Sequence, residues 1–211
     1  MQAECGSGDP HSHTRDYIAH MADTYLTILK RGDGLYKDKG SRFLAFAEPV
    51  HSEEEVQQRL ACYRKAYHDA RHVCYAWMVG AERERFRMSD DGEPSGTAGR
   101  PIMGQINSRG LTNVLIVVVR YFGGILLGTG GLIVAYREAA SDALDHTAIV
   151  QRDVLLTRTL RFPYEEMNRV MRLLKDTDSR IIRQDYEDGA CVIECEIKKQ
   201  HEGRIQADSS L

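Results

Sequence analysis

No stretch of this chain stays apolar long enough to cross a bilayer. Even the run Val114–Val119 is only six residues, against the roughly 18 to 20 that a spanning helix needs. Neither charge dominates, since 28 Lys and Arg stand against 31 Asp and Glu. No global basic field draws the protein onto nucleic acid, so any polyanion binding has to be local. Cysteine is scarce, and Cys5, Cys62, Cys74, Cys191 and Cys195 form no C-x-x-C pair. That pattern excludes a disulfide frame and a structural zinc site and leaves buried reduced thiols. The N-terminal residues lack a basic start running into an apolar core, so the sequence predicts no secretory leader and a cytoplasmic protein with no membrane partner. Neither a Walker A loop nor a strand-to-helix G-x-G-x-x-G is present, so no cofactor is expected.

What remains reads as two small domains behind a polar leader. Residues 1–20 carry Gly, Ser, Pro and histidines with no apolar period and read as a frayed tail. Thr24–Leu29 has strand composition, a glycine-rich turn around Arg31–Gly34 follows, and Arg42–Ala47 forms a second strand. Ser52 and Glu55 form a capping box for a helix with Val56, Leu60, Tyr63, Tyr67 and Ala70 on one side. His72–Val79 and Val114–Tyr121 are apolar at nearly every position and predict strands covered on both faces. Arg83, Arg85 and Arg87 mark a charged edge between them. From Ile149 to Phe162 one long alternation predicts a strand, and Tyr164–Lys175 a helix. Two strands around Asp188-Gly189 close the pattern, with Cys191, Ile193, Cys195 and Ile197 on one face.

Function is expected in the stretch Asp90–Tyr136, where two glycine clusters each run into a helix. One start lies near Gly96, Thr97 and Gly99, with Pro101 at the first helical position; the other follows Gly123, Gly124, Gly128, Gly130 and Gly131. Helix N-termini carry backbone N–H groups with no intrahelical acceptor and so face anions. Arg100 and Arg120 flank the two starts, His72 lies close by, and Lys37, Lys39 and Arg42 extend the patch. Arginine forks suit phosphate oxygens, while Tyr121 and Phe122 offer either stacking faces for bases or packing for the core.

DDGEPSGTAGRP (Asp90–Pro101) and VVVRYFGGILLGTGGLIVAY (Val117–Tyr136), with KDKGSRF (Lys37–Phe43) and DARHVCYA (Asp69–Ala76), resemble the signature of the YigZ/IMPACT family. The resemblance spans most of residues 35–145. It implies an α+β chain: residues 21–147 form an α/β two-layer domain similar to the second domain of a ribosomal small-subunit protein. Residues 149–211 form a ferredoxin-like domain similar to the last domain of elongation factor G. About 14 residues follow Ile197, too few for both a helix and a strand of usual length, so a shortened second domain is expected. The resemblance also implies a role near translation, with RNA, the ribosome or a translation factor as partner; eukaryotic relatives compete for the activator of a starvation-sensing kinase.

Two other readings stand beside the RNA one. Asp90, Asp91 and Glu93, with His72, form a candidate divalent-metal set that activates water for hydrolysis. The same face also suits a protein-interaction module. Three acids on one turn are commonly solvated or capping, so the residues favour a binding protein over an enzyme.

Overall fold

The computed structural model describes residues 23–187 and 189–208. The expected leader, with Cys5, His11 and His13, and the turn residue Asp188 lie outside them. Among the described residues no helix is long and apolar enough to cross a membrane. The chain divides into two compact units, Tyr25–Arg152 and the residues from Asp153 onward with Asp23 and Thr24.

In chain order the first unit contains β1 (Thr24–Ile28), β2 (Gly32–Asp38), β3 (Ser41–Pro49), α1 (Glu53–Ala66), β4 (His72–Val79) and β5 (Arg85–Ser89). Helix α2 (Gly99–Ser108), β6 (Val114–Tyr121), α3 (Gly128–Asp145) and β7 (Ile149–Asp153) complete it. Five strands form an antiparallel sheet in the order β2-β3-β6-β4-β5, and β1 pairs with β7. Strand β6 is central because its run of branched residues serves both faces. Val114, Ile116 and Val118 enter one core cluster with α2 and α3, while Leu115, Val117 and Val119 enter another with Val56, Leu60 and Tyr63 of α1. Helices therefore cover both sides of the sheet, which adds a third layer to the two expected.

The α1 start is nearly the expected box. Glu55 N donates to Ser52 Oγ at 3.2 Å, but the Glu55 carboxylate reaches one residue further back, accepting from His51 N at 2.9 Å. The glycine-rich turn at Arg31–Gly34 is instead the beginning of β2. Glycine stands there because α3 crosses so closely that a Cβ on Gly34 would lie 2.4 Å from Ala143 N. Arg83 lies outside the edge strand at φ +61°, leaving Arg85 and Arg87 on β5.

The second unit contains β8 (Leu155–Pro163), a 3₁₀ turn, α4 (Met167–Asp176), β9 (Arg180–Glu187), β10 (Ala190–Lys198), another 3₁₀ turn and α5 (Glu202–Asp208). The single long strand expected from Ile149 to Phe162 breaks at Val154, where the chain leaves the β1–β7 sheet and enters a second one, ordered β8-β10-β9. A β-α-β-β run in this order is how a ferredoxin-like unit begins. Cys191, Ile193, Cys195 and Ile197 are fully buried against Val170 and Leu174 of α4 and Ile205 of α5. The described cysteines are free thiols, and burial raises the pKa of Cys195.

Candidate anion-binding site

The two helix starts are not equivalent. At α2 the amides are already taken: Asp90 Oδ1 accepts from Ala98 N at 2.9 Å and Gly99 N at 2.8 Å, and Oδ2 accepts from Gly96 N at 2.8 Å. Thr97 donates its hydroxyl to the Pro94 carbonyl at 2.7 Å. The chain thus supplies its own anion, and Gly96, Thr97, Gly99 and the exposed Arg100 do not frame an open site, contrary to expectation.

Burial opposes ionisation of Asp90, but the N–H donors of Gly96, Gly99 and Ala98 and the charge of Arg100 outweigh it, holding the carboxyl below its ordinary pKa. Stability from a depressed carboxyl is complete above its unfolded-state pKa of about 3.9 and disappears as pH falls through the lower folded value. Asp90→Asn is therefore expected to cost about 1 kcal/mol near neutral pH, with a deficit that shrinks below about pH 4. Urea melts at neutral and acid pH measure this, and a deficit unchanged in acid contradicts it.

The other acids are equally committed. Asp91 Oδ2 accepts from Val73 N at 2.7 Å, and Oδ1 lies 3.5 Å from Arg64. Glu93 Oε1 accepts from Arg120 Nη1 at 2.6 Å and from the Tyr136 hydroxyl at 2.8 Å. His72 Nδ1 lies 2.8 Å from the Asp91 carbonyl, which can only accept, so the proton sits on Nδ1. Among the described residues no group of three His, Cys, Asp or Glu is placed to hold a metal. The expected metal set fails because its lone pairs already serve backbone amides, a guanidinium and a phenol.

Strand register splits the expected basic patch. Lys37, Arg42 and Tyr121 lie opposite one another across β2, β3 and β6; Tyr36, Phe43, Arg120 and His72 form the neighbouring row across β2, β3, β6 and β4. Successive residues on a strand point to opposite faces, so Lys37, Arg42 and Tyr121 face away from the side that holds α2 and α3. There the Arg42 guanidinium lies over the Tyr121 ring, whose hydroxyl donates to Asp69 at 2.9 Å. Lys39 sits in the β2–β3 turn at φ +44°, followed by Gly40 at +77°. Gly123 packs directly on that turn, since a Cβ would fall 1.9 Å from the Gly40 carbonyl carbon, and its N–H is spent on Ser41 Oγ at 3.1 Å.

The α3 start is the one left open. No side chain caps it, and its first turn carries no acid. Among the described residues no loop carbonyl takes its leading amides. Gly128 holds φ +74°, and Gly130 and Gly131 lie inside the first turn. In front is a cleft of about 370 Å³ whose polar wall is Arg71, His72, Glu93, Arg120 and Thr129, and whose apolar wall includes Phe122 and Leu126. The Arg120 guanidinium lies between two rings, 5.5 Å from the Phe43 centroid and 5.6 Å from that of Phe122. Its Nε is buried without a hydrogen-bond partner.

Against known proteins, residues 39–144 match the family model described as the Impact N-terminal domain. Over 151 residues the chain is 38% identical to the IMPACT family member YigZ of Escherichia coli (strain K12), covering 71% of this chain and 74% of that protein. The chain belongs to the IMPACT family. The IMPACT family member YvyE of Bacillus subtilis (strain 168) is 34% identical over 157 residues, covering 74% of this chain and 72% of its own. A solved structure described as a crystal structure of a hypothetical protein aligns with TM-score 0.71 at 32% identity, covering 88% of this chain and 91% of its own.

Every residue lining the cleft, from Arg71 to Leu132, falls within the span that matches the IMPACT N-terminal model. Sequence reasoning missed several of them. Arg71 and Thr129 lie inside the stretches Asp69–Ala76 and Val117–Tyr136, but nothing local sets Arg71 apart from its charged neighbours, and Thr129 stands among the glycines whose amides suggest the site. Behind the cleft lining, the Tyr136 hydroxyl donates to the acid that holds Arg120, a link across 43 residues that no local pattern announces.

Proposed function

We propose that this IMPACT-family protein works beside the translation machinery and binds RNA through the cleft in front of α3. The observation that carries the reading is the contrast between two helix starts in one fold. Asp90 fills the amides of α2, whereas those of α3 face a cleft that holds Arg71, His72 and Arg120. An anion is the ligand that such a start recruits. Family resemblance supplies the translational setting, and the near-neutral chain implies a contact that weakens steeply with salt.

Fluorescence anisotropy with a labelled RNA at low and at physiological salt tests this. Arg71→Ala is expected to weaken binding and to lower the salt slope by about 0.7. Arg100→Ala is expected to change little, because the helix start beside it is occupied. Absence of binding at low salt, or indifference to Arg71→Ala, overturns the proposal. A translation factor is a second reading, favoured by the exposed Phe122, Ile125 and Leu126 on the loop before α3. Capture from lysate that survives nuclease treatment points to that protein contact instead.

A further inference from the structure

We infer that the cleft takes unpaired RNA, with a phosphate at the amino end of α3 and a base laid on Phe122. The inference rests on the RNA reading above and narrows it to single strands. Two independent features meet in the cleft. One is the uncapped start of an 18-residue helix. The other is Arg120, whose side chain is 7% exposed and has one N–H donor given to Glu93 and another, Nε, given to nothing. A buried donor without an acceptor is costly, and an anion seated at the helix start lets this guanidinium turn to a second acceptor. Arg71 at the same cleft adds exposed positive charge.

The base platform follows from which aromatic is reachable. Tyr121 lies on the opposite face of the sheet with its hydroxyl on Asp69. Phe122 is 48% exposed and turns one face toward the Arg120 guanidinium, leaving ring surface beside Leu126, itself 80% exposed. Stacking on a ring needs a base whose face is free, and duplex bases have their faces covered by neighbouring pairs. A cleft of about 370 Å³ suits a small ligand unit rather than a double helix.

The test compares an oligouridylate of about 12 nucleotides with an RNA duplex of equal length, by anisotropy on the full chain. The single strand is expected to bind more tightly. Phe122→Ala should weaken it about tenfold or more while leaving the salt slope unchanged, because no charge is removed. Phe122→Trp should restore it, and because the ring is about half exposed and lies outside the hydrophobic core, the thermal midpoints of both variants should stay close to wild type. Equal affinity for duplex, or single-strand binding indifferent to Phe122→Ala, overturns the narrowing while leaving the RNA reading in place. No RNA binding of either form overturns both.

Discussion

Glu93→Ala is expected to cost about 3 to 5 kcal/mol of folding free energy. The carboxylate and the Arg120 guanidinium are 3% and 7% exposed and lie 2.6 Å apart. Removing the acid leaves a buried cation with no counter-charge, and the loss exceeds what the pair contributes relative to apolar residues. The same oxygen accepts from Tyr136, whose pKa is raised by burial and then by Cys74 and Glu93, so its phenol remains a neutral donor. Glu93→Ala therefore also removes the acceptor of the phenol O–H, leaving the Tyr136 hydroxyl only its contact with Cys74 Sγ at 3.3 Å. Replacing both members by apolar residues, as in Glu93→Leu with Arg120→Met, should recover most of the stability while abolishing anion binding. Urea titration of the three proteins decides the matter, and a Glu93→Ala deficit under about 1 kcal/mol refutes the account. The isosteric Glu93→Gln separates fold from function, since it should lose stability yet bind RNA more tightly once the guanidinium charge is no longer shared.

That pair also shows where sequence reading stopped. The unbroken apolar run Val114–Val119 was enough to predict a strand covered on both faces, because branched aliphatic side chains on either face suit only the interior; that this strand is the central one of the five follows from the pairing alone. The Ser52 box, the β9–β10 hairpin and the buried Cys191–Ile197 face are local patterns and were legible for the same reason. The site was not local. Asp90 caps a helix whose first residue lies nine positions later, beyond the reach of any adjacent-residue capping rule. Arg120 and Tyr121 are neighbours in sequence, and strand parity alone sends them to opposite faces. That Lys37 and Arg42 join Tyr121 rather than Arg120 depends on register across three strands. The glycines were the most misleading signal. Of those read as amides for an anion, the Gly96 and Gly99 amides serve Asp90 and that of Gly123 serves Ser41.

Gly34→Val is expected to cost about 3 kcal/mol or more, because the obstacle is main chain rather than a side chain that can rotate. A Cβ on Gly34 would lie 2.4 Å from Ala143 N and 2.8 Å from Ala139 O, and one on Gly32 would lie 2.1 Å from Ala143 O. Two glycines on one face of β2 thus meet the alanines Ala139 and Ala143 of α3, both fully buried. The Asp142 carboxylate ties the same end of the helix to the strand by accepting from Leu35 N at 2.8 Å. Gly130→Ala is the matched control, since nothing lies within 4 Å of its Cβ position, and it should leave stability unchanged or raise it by up to about 1 kcal/mol. Thermal or urea melts compare the two, and equal midpoints contradict the packing argument. The contact reaches the candidate site through the rigidity of α3. Ala143 lies about 22 Å along the axis from Gly128, so a tilt of about 5° at the glycine seat moves the first-turn amides by about 2 Å. Gly34→Val should therefore weaken RNA binding even in the fraction that remains folded, although it touches no residue of the cleft.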